Sequence, residues 1–237
     1  MDDERIAAII VAAGSSERMG LETAKPFLKL GGKPILVHTI EKFEGCAGVD
    51  EIILVVKHGD KELARKLVSD FRFEKVIAIT EGGARRQDSV YEGLRKLGGR
   101  DIRFVLVHDG VRPFVTSEKI RELIVACRDY KAAILAVPPK DTIKKSNTVP
   151  FVQETLDRTR LWAAQTPQAF AIDVLTKAYD RARRENFTAT DDASLVERLG
   201  VKVRIIEGSY ENIKITTPED LQLAELILQR EASLNKG

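Results

Sequence analysis

Short apolar runs alternate along the chain with segments in which apolar residues recur every three or four positions. The runs rich in Ile and Val predict six strands, at Ile6–Ala12, Ile52–Val56, Val76–Thr80, Phe104–Val107, Ile134–Val137 and Val201–Ile206. Several runs are apolar at almost every position, which is typical of strands covered on both faces in a mostly parallel sheet. The intervening segments predict amphipathic helices, with apolar stripes at Leu36, Thr39, Ile40 and Phe43 and at Leu221, Ala224 and Leu228. The alternation predicts a three-layer α/β/α domain.

The stretch Asp141–Gln165 departs from this alternation. Its pattern predicts a β-hairpin with a polar turn at Ser146-Asn147 and strands at Thr142–Lys145 and Phe151–Leu156. An isolated hairpin is only marginally stable in water, so it needs a surface to pack against, either on its own domain or on a second subunit. No composition shift marks a linker. We therefore expect one domain over residues 1–237, with a projecting β-arm inserted at about 139–163.

Composition and charge narrow the classes of partner. The chain has 38 Lys and Arg against 36 Asp and Glu, a formal net charge of +2, which gives no electrostatic reason to expect nucleic acid or an anionic membrane as a partner. The longest apolar run, Ile6–Ala13, is too short to cross a bilayer, and the acidic residues before it do not suit an export signal. With two cysteines and no such signal, we expect a cytoplasmic protein.

The loop after the first strand carries the first candidate chemistry, because ligands of parallel α/β sheets bind at the carboxyl ends of the strands. Residues 12–20 are mostly small, and Arg18 and Lys25 supply positive charge, which together suit a phosphate group. The loop matches neither the Walker pattern nor the dinucleotide-binding glycine pattern. An ordinary Gly/Ser turn with two solvated cations would show the same residues.

Further candidates lie in later loops. The loop 81–89 contains two glycines that permit a sharp turn over a flat ligand, and the segment 108–113 places Asp109 and Arg112 at a strand end, where they suit a metal–phosphate or a polyol. Asp109 would equally serve as a turn residue or as a structural partner of Arg112. Lys214 precedes a predicted helix start at Thr217, where it could neutralise an anion or simply be a surface lysine.

The arm also carries charge that has two interpretations. Arg158 lies beside hydroxyl and carboxylate side chains and suits bidentate binding of a phosphate. Charged groups at the base of a hairpin also keep an exposed hairpin soluble.

Taken together, the motifs resemble the 2-C-methyl-D-erythritol 4-phosphate cytidylyltransferase family, in family order, from about Ile6 to Leu226. They are Ala12-Ala13-Gly14-x-x-x-Arg18-Met19 with Lys25, Gly82-Gly83 with Arg86 and Asp88-Ser89-Val90, Val107-His108-Asp109-x-x-Arg112-Pro113, Asp141-Thr142, Asp157-Arg158-x-x-Leu161-Trp162, Thr166-Pro167-Gln168, Thr190-Asp191-Asp192-Ala193-Ser194, and Asn212-Ile213-Lys214-x-Thr216-x-Pro218-Glu219-Asp220. The resemblance implies a Rossmann-like nucleotidyltransferase fold and the reaction of CTP with 2-C-methyl-D-erythritol 4-phosphate, which gives 4-diphosphocytidyl-2-C-methyl-D-erythritol and pyrophosphate in the non-mevalonate isoprenoid route.

The resemblance also implies roles for individual residues. Arg18 and Lys25 would stabilise charge around the α-phosphate and the leaving pyrophosphate, and Arg158 and Lys214 would orient the substrate phosphate. The implied nucleotide-binding residues are Ala12, Ala13, Gly14, Gly83, Ser89 and Asp109, and the implied substrate-binding residues are Asp109, Arg112, Thr142, Arg158, Thr166, Thr190 and Lys214. Mg²⁺ or another divalent cation would be held mainly by the CTP phosphates rather than by protein ligands. Family members resemble interlocked homodimers, which fits an arm that reaches a partner subunit.

Two departures and three rivals stay open at this point. Relatives often have Pro-Lys-Gln where this chain has Ala24-Lys25-Pro26, and an acidic residue where it has Ala84. A ribitol-5-phosphate cytidylyltransferase would share the fold and the nucleotide site, although Asp157-Arg158 with Leu161-Trp162 favours the methylerythritol enzyme. A nucleotide-sugar glycosyltransferase would normally carry an Asp-x-Asp motif, which the sequence lacks. A catalytically silent nucleotide-binding module would not need all four cations.

Overall fold

The computed structural model describes residues 4–14, 24–148 and 151–234. Its strands are β1 (Ile6–Ala12), β2 (Lys29–Leu30), β3 (Lys33–Pro34), β4 (Glu51–Val56), β5 (Val76–Glu81), β6 (Phe104–Asp109), β7 (Ala132–Val137), β8 (Lys144–Ser146), β9 (Val152–Thr155), β10 (Ala163–Ala171) and β11 (Arg204–Glu207). Its α-helices are α1 (Ile35–Glu44), α2 (Lys61–Asp70), α3 (Arg86–Leu97), α4 (Ser117–Tyr130), α5 (Ile172–Arg184), α6 (Asp192–Glu197) and α7 (Pro218–Leu234). Short 3₁₀ turns cover Lys25–Phe27 and Arg158–Arg160.

Seven strands form one central sheet in the order β11-β7-β10-β6-β1-β4-β5. β1 pairs in parallel with β4 and β6, β4 with β5, and β7 with β11, whereas β10 runs antiparallel to both of its neighbours. Strands β1, β4, β6 and β7 are buried at all or nearly all positions, because helices cover both faces of the sheet. The predicted mostly parallel α/β fold is confirmed.

Two parts of the sheet differ from the sequence prediction. β10 was not predicted, because its sequence is rich in Ala, Gln, Thr and Pro rather than in β-branched residues, and its pairing with β7 shifts register between Ala164 and Gln168. The last predicted strand, Val201–Ile206, starts late: regular pairing covers only Arg204–Glu207. Val201 and Val203 instead pack against the core as irregular chain.

A second, smaller core lies beneath α7 and is separate from the main core around the sheet. Its buried residues are Leu30, Ile35, Phe114, Ile215, Ala224 and Ile227. The start of α7 follows the prediction, since the Thr217 hydroxyl accepts from the amide of Asp220 at 3.3 Å, and Asp220 Oδ2 accepts from the amide of Thr217 at 2.9 Å. This reciprocal cap and the buried Ile215 fix the segment that carries Lys214.

The predicted hairpin is present, with shorter strands than the sequence indicated. β8 and β9 pair antiparallel, and Ser146 belongs to β8 rather than to a turn. Every residue of both strands is exposed, and two large apolar side chains, Phe151 and Val152, are 71% and 63% exposed. The hairpin therefore has no core of its own within the described chain. The prediction of a single domain over residues 1–237 stays a prediction.

Two further expectations concern the membrane and the cysteines. In the described ranges, we find no helix with the length and apolar character needed to cross a membrane. Cys46 and Cys127 are both buried and unpaired thiols, and burial raises the pKa of Cys127 to about 12.

Candidate active site

A cleft of about 650 Å³ opens where the carboxyl ends of β1, β4, β5 and β6 meet. This is the edge at which parallel α/β sheets bind ligands. The lining includes eight of the residues singled out from the sequence, namely Ala12, Ala13, Gly14, Lys25, Gly83, Ser89, Asp109 and Lys214. The fold therefore brings together loops that lie up to two hundred residues apart along the chain.

The remaining candidates lie elsewhere. Arg18 falls in residues 15–23, outside the described part of the chain. Thr190 is exposed in the bend before α6 and does not line the cleft. Thr142 and Arg158 are exposed on the arm and do not line the cleft of their own chain. Arg112 and Thr166 lie just behind the lining, where they support it.

The loops after β1 and β5 touch at Gly82. A Cβ atom at this position would lie 2.4 Å from the hydroxyl oxygen of Ser89 and 2.6 Å from Cβ of Ala13. Gly83 is similarly confined, because its Cβ would lie 2.4 Å from that of Asp88. Close approach of two loops, rather than an unusual backbone angle, is therefore the reason for glycine at both positions. The Ser89 hydroxyl donates to the carbonyl of Arg85 at 3.1 Å.

Lys25 lies in a 3₁₀ turn and is buried, with 7% of its surface exposed. The turn is held by the amide of Phe27 on the carbonyl of Ala24 at 2.9 Å and the amide of Leu28 on that of Lys25 at 3.1 Å. Neither bond uses the amide of residue 26. Pro26, the first departure from the family pattern, therefore costs this turn no hydrogen bond, while Ala84, the second, lines the cleft with a methyl group.

Asp109, the last residue of β6, is the centre of charge in the cleft. Its Oδ1 accepts from Nε of Arg86 at 3.0 Å, and its Oδ2 lies 2.9 Å from Nζ of Lys214 and 3.4 Å from Nε of Arg112. Burial alone would raise the pKa of Asp109, but the three cations outweigh it and hold the pKa well below its usual range. The ion pair between Asp109 and Arg112 that the sequence suggested is therefore present, and it is one of three ion pairs that Asp109 makes.

A second layer of hydrogen bonds fixes this cluster. The Asp109 amide donates to the Thr166 hydroxyl at 3.0 Å, Asn212 Nδ2 donates to the carbonyl of Thr166 at 2.8 Å, and Arg112 Nη1 donates to the carbonyl of Asn212 at 2.7 Å. Thr166 and Arg112 therefore connect β6 and β10 to the segment that carries Lys214. They hold the site together rather than line it.

His108 is the buried neighbour of Asp109 and stays uncharged. Its Nε2 donates to the carbonyl of Arg112 at 3.0 Å, and its ring packs on Phe43 with centroids 4.9 Å apart. Burial lowers its pKa to about 4. Across the described ranges, no group of three or more His, Cys, Asp or Glu side chains could hold a metal ion.

Arg86 belongs to a motif quoted above but was assigned no role from the sequence, and it contacts two acidic residues. It is the first residue of α3, and its Nη1 donates to Oδ2 of Asp192 at 2.8 Å in addition to the Asp109 contact. The preceding Arg85 also borders the cleft, but its guanidinium pairs with Asp88 at 2.8 Å and does not reach Asp109. Two consecutive arginines were visible in the sequence, but the pattern did not indicate which of them faces inward.

Lys57 and His58 also line the cleft and were not predicted. They follow β4, which lies between β1 and β5 in the sheet. The strand order is what places the loop after β4 at the same edge of the sheet as the glycine loops after β1 and β5. His58 Nδ1 lies 2.8 Å from Oε2 of Glu81, the last residue of β5.

The root of the arm is attached to the segment that carries Lys214. The Tyr210 hydroxyl donates to the carbonyl of Pro138 at 2.8 Å, and Nζ of Lys140 lies 4.1 Å from the centre of the Tyr210 ring. Arg158 Nη1 in turn donates to the carbonyl of Lys140 at 2.6 Å. The root is therefore held to the domain, while the strands beyond it are exposed.

Comparison with known proteins gives a consistent result. The model of the 2-C-methyl-D-erythritol 4-phosphate cytidylyltransferase family matches residues 6–230. A protein of that name from Geobacillus kaustophilus is 50% identical over 221 residues, 93% of this chain and 96% of its own, and one from Alkaliphilus oremlandii is 48% identical over 226 residues, 95% of each chain. The crystal structure of 4-diphosphocytidyl-2C-methyl-D-erythritol synthase from Anaerococcus prevotii is similar with a TM-score of 0.85 at 35% identity, over 95% of this chain and 96% of that chain. The cytidylyltransferase structure from Francisella tularensis has a TM-score of 0.80 at 33% identity, over 94% and 99%.

Proposed function

Since the chain belongs to the 2-C-methyl-D-erythritol 4-phosphate cytidylyltransferase family, we propose that the cleft at the carboxyl ends of β1, β4, β5 and β6 is where it performs that family's reaction. The enzyme transfers a cytidylyl group from CTP to 2-C-methyl-D-erythritol 4-phosphate and releases pyrophosphate, a step of isoprenoid biosynthesis. The observation that carries the choice of site is the convergence of Lys25, Lys214 and the two glycine loops on one cleft.

The reaction needs positive charge and alignment more than a nucleophilic side chain. An oxygen of the acceptor phosphate attacks the α-phosphorus of CTP, and the bond from that phosphorus to the leaving pyrophosphate breaks. Both reactants are anions, so the protein must neutralise their repulsion and hold them in line. The cluster of Arg86, Arg112 and Lys214 around Asp109 keeps excess positive charge at the floor of the cleft.

We assign the roles of individual cations by position. Lys25, buried at the cleft wall beside the β1 loop, would stabilise charge at the α-phosphate and on the leaving group, together with Arg18. Lys214 would move between Asp109 and the acceptor phosphate, because its side chain is 40% exposed and already points into the cleft. Asp109 would stay ionised when Lys214 leaves it, since two arginines remain on its carboxylate.

The nucleotide would lie over the two glycine loops. Ala12, Ala13 and Gly14 would hold it through backbone groups, and Gly83 and Ser89 would lie near the cytosine ring. A pocket that reads the ring through fixed hydrogen bonds rejects a pyrimidine with the opposite donor pattern, and its size excludes purines. We therefore propose selectivity for CTP over UTP and ATP.

We propose Mg²⁺ as the metal, bound mainly to the phosphates of CTP. Mg²⁺ keeps several waters and commonly binds substrate phosphates with few protein ligands. Asp109, which is the only carboxylate among the described residues that line the cleft, is already paired with three cations, so we derive no catalytic step from a metal held by the protein.

We propose a homodimer in which each arm reaches the cleft of the partner subunit. Thr142 and Arg158 do not line the cleft of their own chain, and β8 and β9 are exposed along their whole length with apolar side chains at Phe151 and Val152. Two-fold pairing would cover this surface and deliver both side chains to a second active site.

Mixing two inactive variants tests the arm. In a heterodimer of Lys25→Met and Arg158→Ala chains, one site carries both changes and the other is intact. If subunits exchange at random, half of the dimers are mixed and half of their sites are intact, so roughly a quarter of wild-type activity returns. If each arm serves its own subunit, no activity returns, and an active monomer would contradict the proposal directly.

The function itself is tested by pyrophosphate release with each of the four nucleoside triphosphates and several polyol phosphates. We expect release with CTP and 2-C-methyl-D-erythritol 4-phosphate only. Ribitol 5-phosphate is the informative control acceptor, because a ribitol-5-phosphate cytidylyltransferase would prefer it. Release with neither acceptor would indicate a silent nucleotide-binding protein.

We place the enzyme in the cytoplasm. The support is that both cysteines are buried free thiols, as is usual in a reducing compartment. Recovery of the activity in the membrane or exported fraction of cells would contradict this placement.

A further inference from the structure

Arg86 joins the nucleotide side of the cleft to its phosphate side. It is the first residue of α3 and directly follows the glycine loop of β5, which contains Gly82 and Gly83. Its guanidinium reaches across the floor of the cleft to Asp109 at the end of β6. No other residue in the described ranges links these two loops by a side-chain ion pair.

The second partner of Arg86 is itself held firmly. Asp192, the first residue of α6, is 1% exposed and accepts from the Tyr179 hydroxyl through Oδ1 and from Arg86 through Oδ2. Burial would lower the pKa of Arg86, but Asp192 and Asp109 outweigh it and raise the pKa above its ordinary value. Arg86 therefore stays protonated and is held by ion pairs with both Asp109 and Asp192.

The third nitrogen of the guanidinium is not used by either acid. Nη2 of Arg86 is buried and has no hydrogen-bond partner within the described residues. Buried donors are nearly always satisfied in proteins, and the exceptions concentrate at functional sites.

We propose that Arg86 is a positioning residue for cytidylyl transfer, which holds Asp109 so that Lys214 faces the acceptor phosphate while the nucleotide loop stays in register with it. It acts on the reactants through Asp109 and α3, not by touching them. The inference rests on the proposed function of the cleft and adds a residue to it.

The test compares kcat, KM and stability for Arg86→Met and Arg86→Lys. A misplacement of about 1 Å in a reacting group lowers turnover by about 10²-fold, so we expect a kcat loss of about that size for Arg86→Met with little change in KM for CTP. Arg86→Lys can reach only one of the two acids, so we expect it to restore part of the lost turnover. If Arg86→Met does not fold, the test is the kcat of Arg86→Lys compared with that of the wild type, which we expect to be lowered.

Two controls separate positioning from stability. Arg100→Met removes an arginine that lies 3.2 Å from a similarly buried carboxylate, Glu51, at the amino end of β4 and away from the cleft. Asp192→Asn removes the second anchor of Arg86 and leaves its contact with Asp109. We expect both to lower the urea midpoint while kcat stays far above that of Arg86→Met.

The inference is overturned if Arg86→Met keeps wild-type kcat. It is also overturned if Asp192→Asn loses as much turnover as Arg86→Met, because loss of the ion pair between α3 and α6 would then explain both results. A wild-type chain that releases no pyrophosphate would overturn the proposed function and this inference with it. An active wild type beside an equally active Arg86→Met would overturn the inference alone.

Discussion

Replacing Lys214 by Met separates the electrostatic role of this residue from its contribution to stability. The change removes the ammonium and keeps most of the aliphatic stem. In the folded protein, Nζ lies 2.9 Å from Oδ2 of Asp109, but the lysine side chain is 40% exposed whereas that of Asp109 is 8% exposed. A pair with one partner this exposed contributes roughly 0–1 kcal/mol. Asp109 keeps Arg86 and Arg112, so no buried charge is left uncompensated.

The expected loss of activity is much larger than the loss of stability. Removing one preorganised group that stabilises developing charge typically costs about 10²–10³ in rate, or roughly 3–4 kcal/mol. We therefore expect kcat/KM for 2-C-methyl-D-erythritol 4-phosphate to fall by that factor, while KM for CTP and the urea midpoint stay close to wild type. The assay is steady-state pyrophosphate release with each substrate varied in turn.

Lys33→Met is the matched control, because Lys33 is 45% exposed and pairs with Glu41 at 2.7 Å outside the cleft. It should leave both kinetic constants unchanged. Wild-type kcat/KM in Lys214→Met would refute the assignment. A loss seen only as a raised KM for the acceptor would show that Lys214 binds the ground state and the transition state equally.

Three other changes test separate parts of the structure. Lys25→Met should lower kcat by about 10²–10³, measured by the same assay, and an unchanged kcat with a raised KM for CTP would show uniform binding instead. Gly93→Ala should destabilise the fold by about 1–3 kcal/mol in urea unfolding, because its Cβ would lie 2.6 Å from Cγ2 of Ile9 on β1; an unchanged midpoint would mean that α3 shifts at no cost. Removing divalent cations with EDTA should abolish pyrophosphate release, and adding Mg²⁺ should restore it; activity that survives chelation would refute the proposed metal dependence.

The strands of the central sheet could be predicted because burial on both faces leaves a run of apolar residues. β10 could not, since Thr166 and Gln168 are buried there by tertiary hydrogen bonds and not by hydrophobicity. The hairpin was visible from its strand and turn pattern, but its strand ends were not, because an exposed hairpin has no apolar face to mark them.

The position of the site could be predicted from the sequence, but the ion pairs between its residues could not. Each loop was identifiable by its glycines and charges, and strand order alone determines that the loops of β1 and β5 meet at Gly82. The ion-pair partners of Asp109 are Arg86 on α3, Arg112 in the loop after β6 and Lys214 before α7. Arg86 and Lys214 are too far from Asp109 along the chain for a sequence motif to indicate the contact. Arg85 and Arg86 look alike in the sequence, and only the structure shows that Arg85 pairs with Asp88 whereas Arg86 reaches Asp109.

The separate core beneath α7 has a consequence for when the enzyme works. Lys214 is followed by Ile215, which belongs to that smaller cluster and not to the core around the sheet, while Asn212 ties the same segment to Thr166 and Arg112 by hydrogen bonds. We expect such a cluster to open as a local unit at a lower free energy than global unfolding. Opening would release Ile215 and loosen the hold on Lys214 beside Asp109, while the sheet and both glycine loops stay folded. We therefore expect warming to lower activity before the sheet unfolds, which parallel curves of activity and circular dichroism against temperature would check.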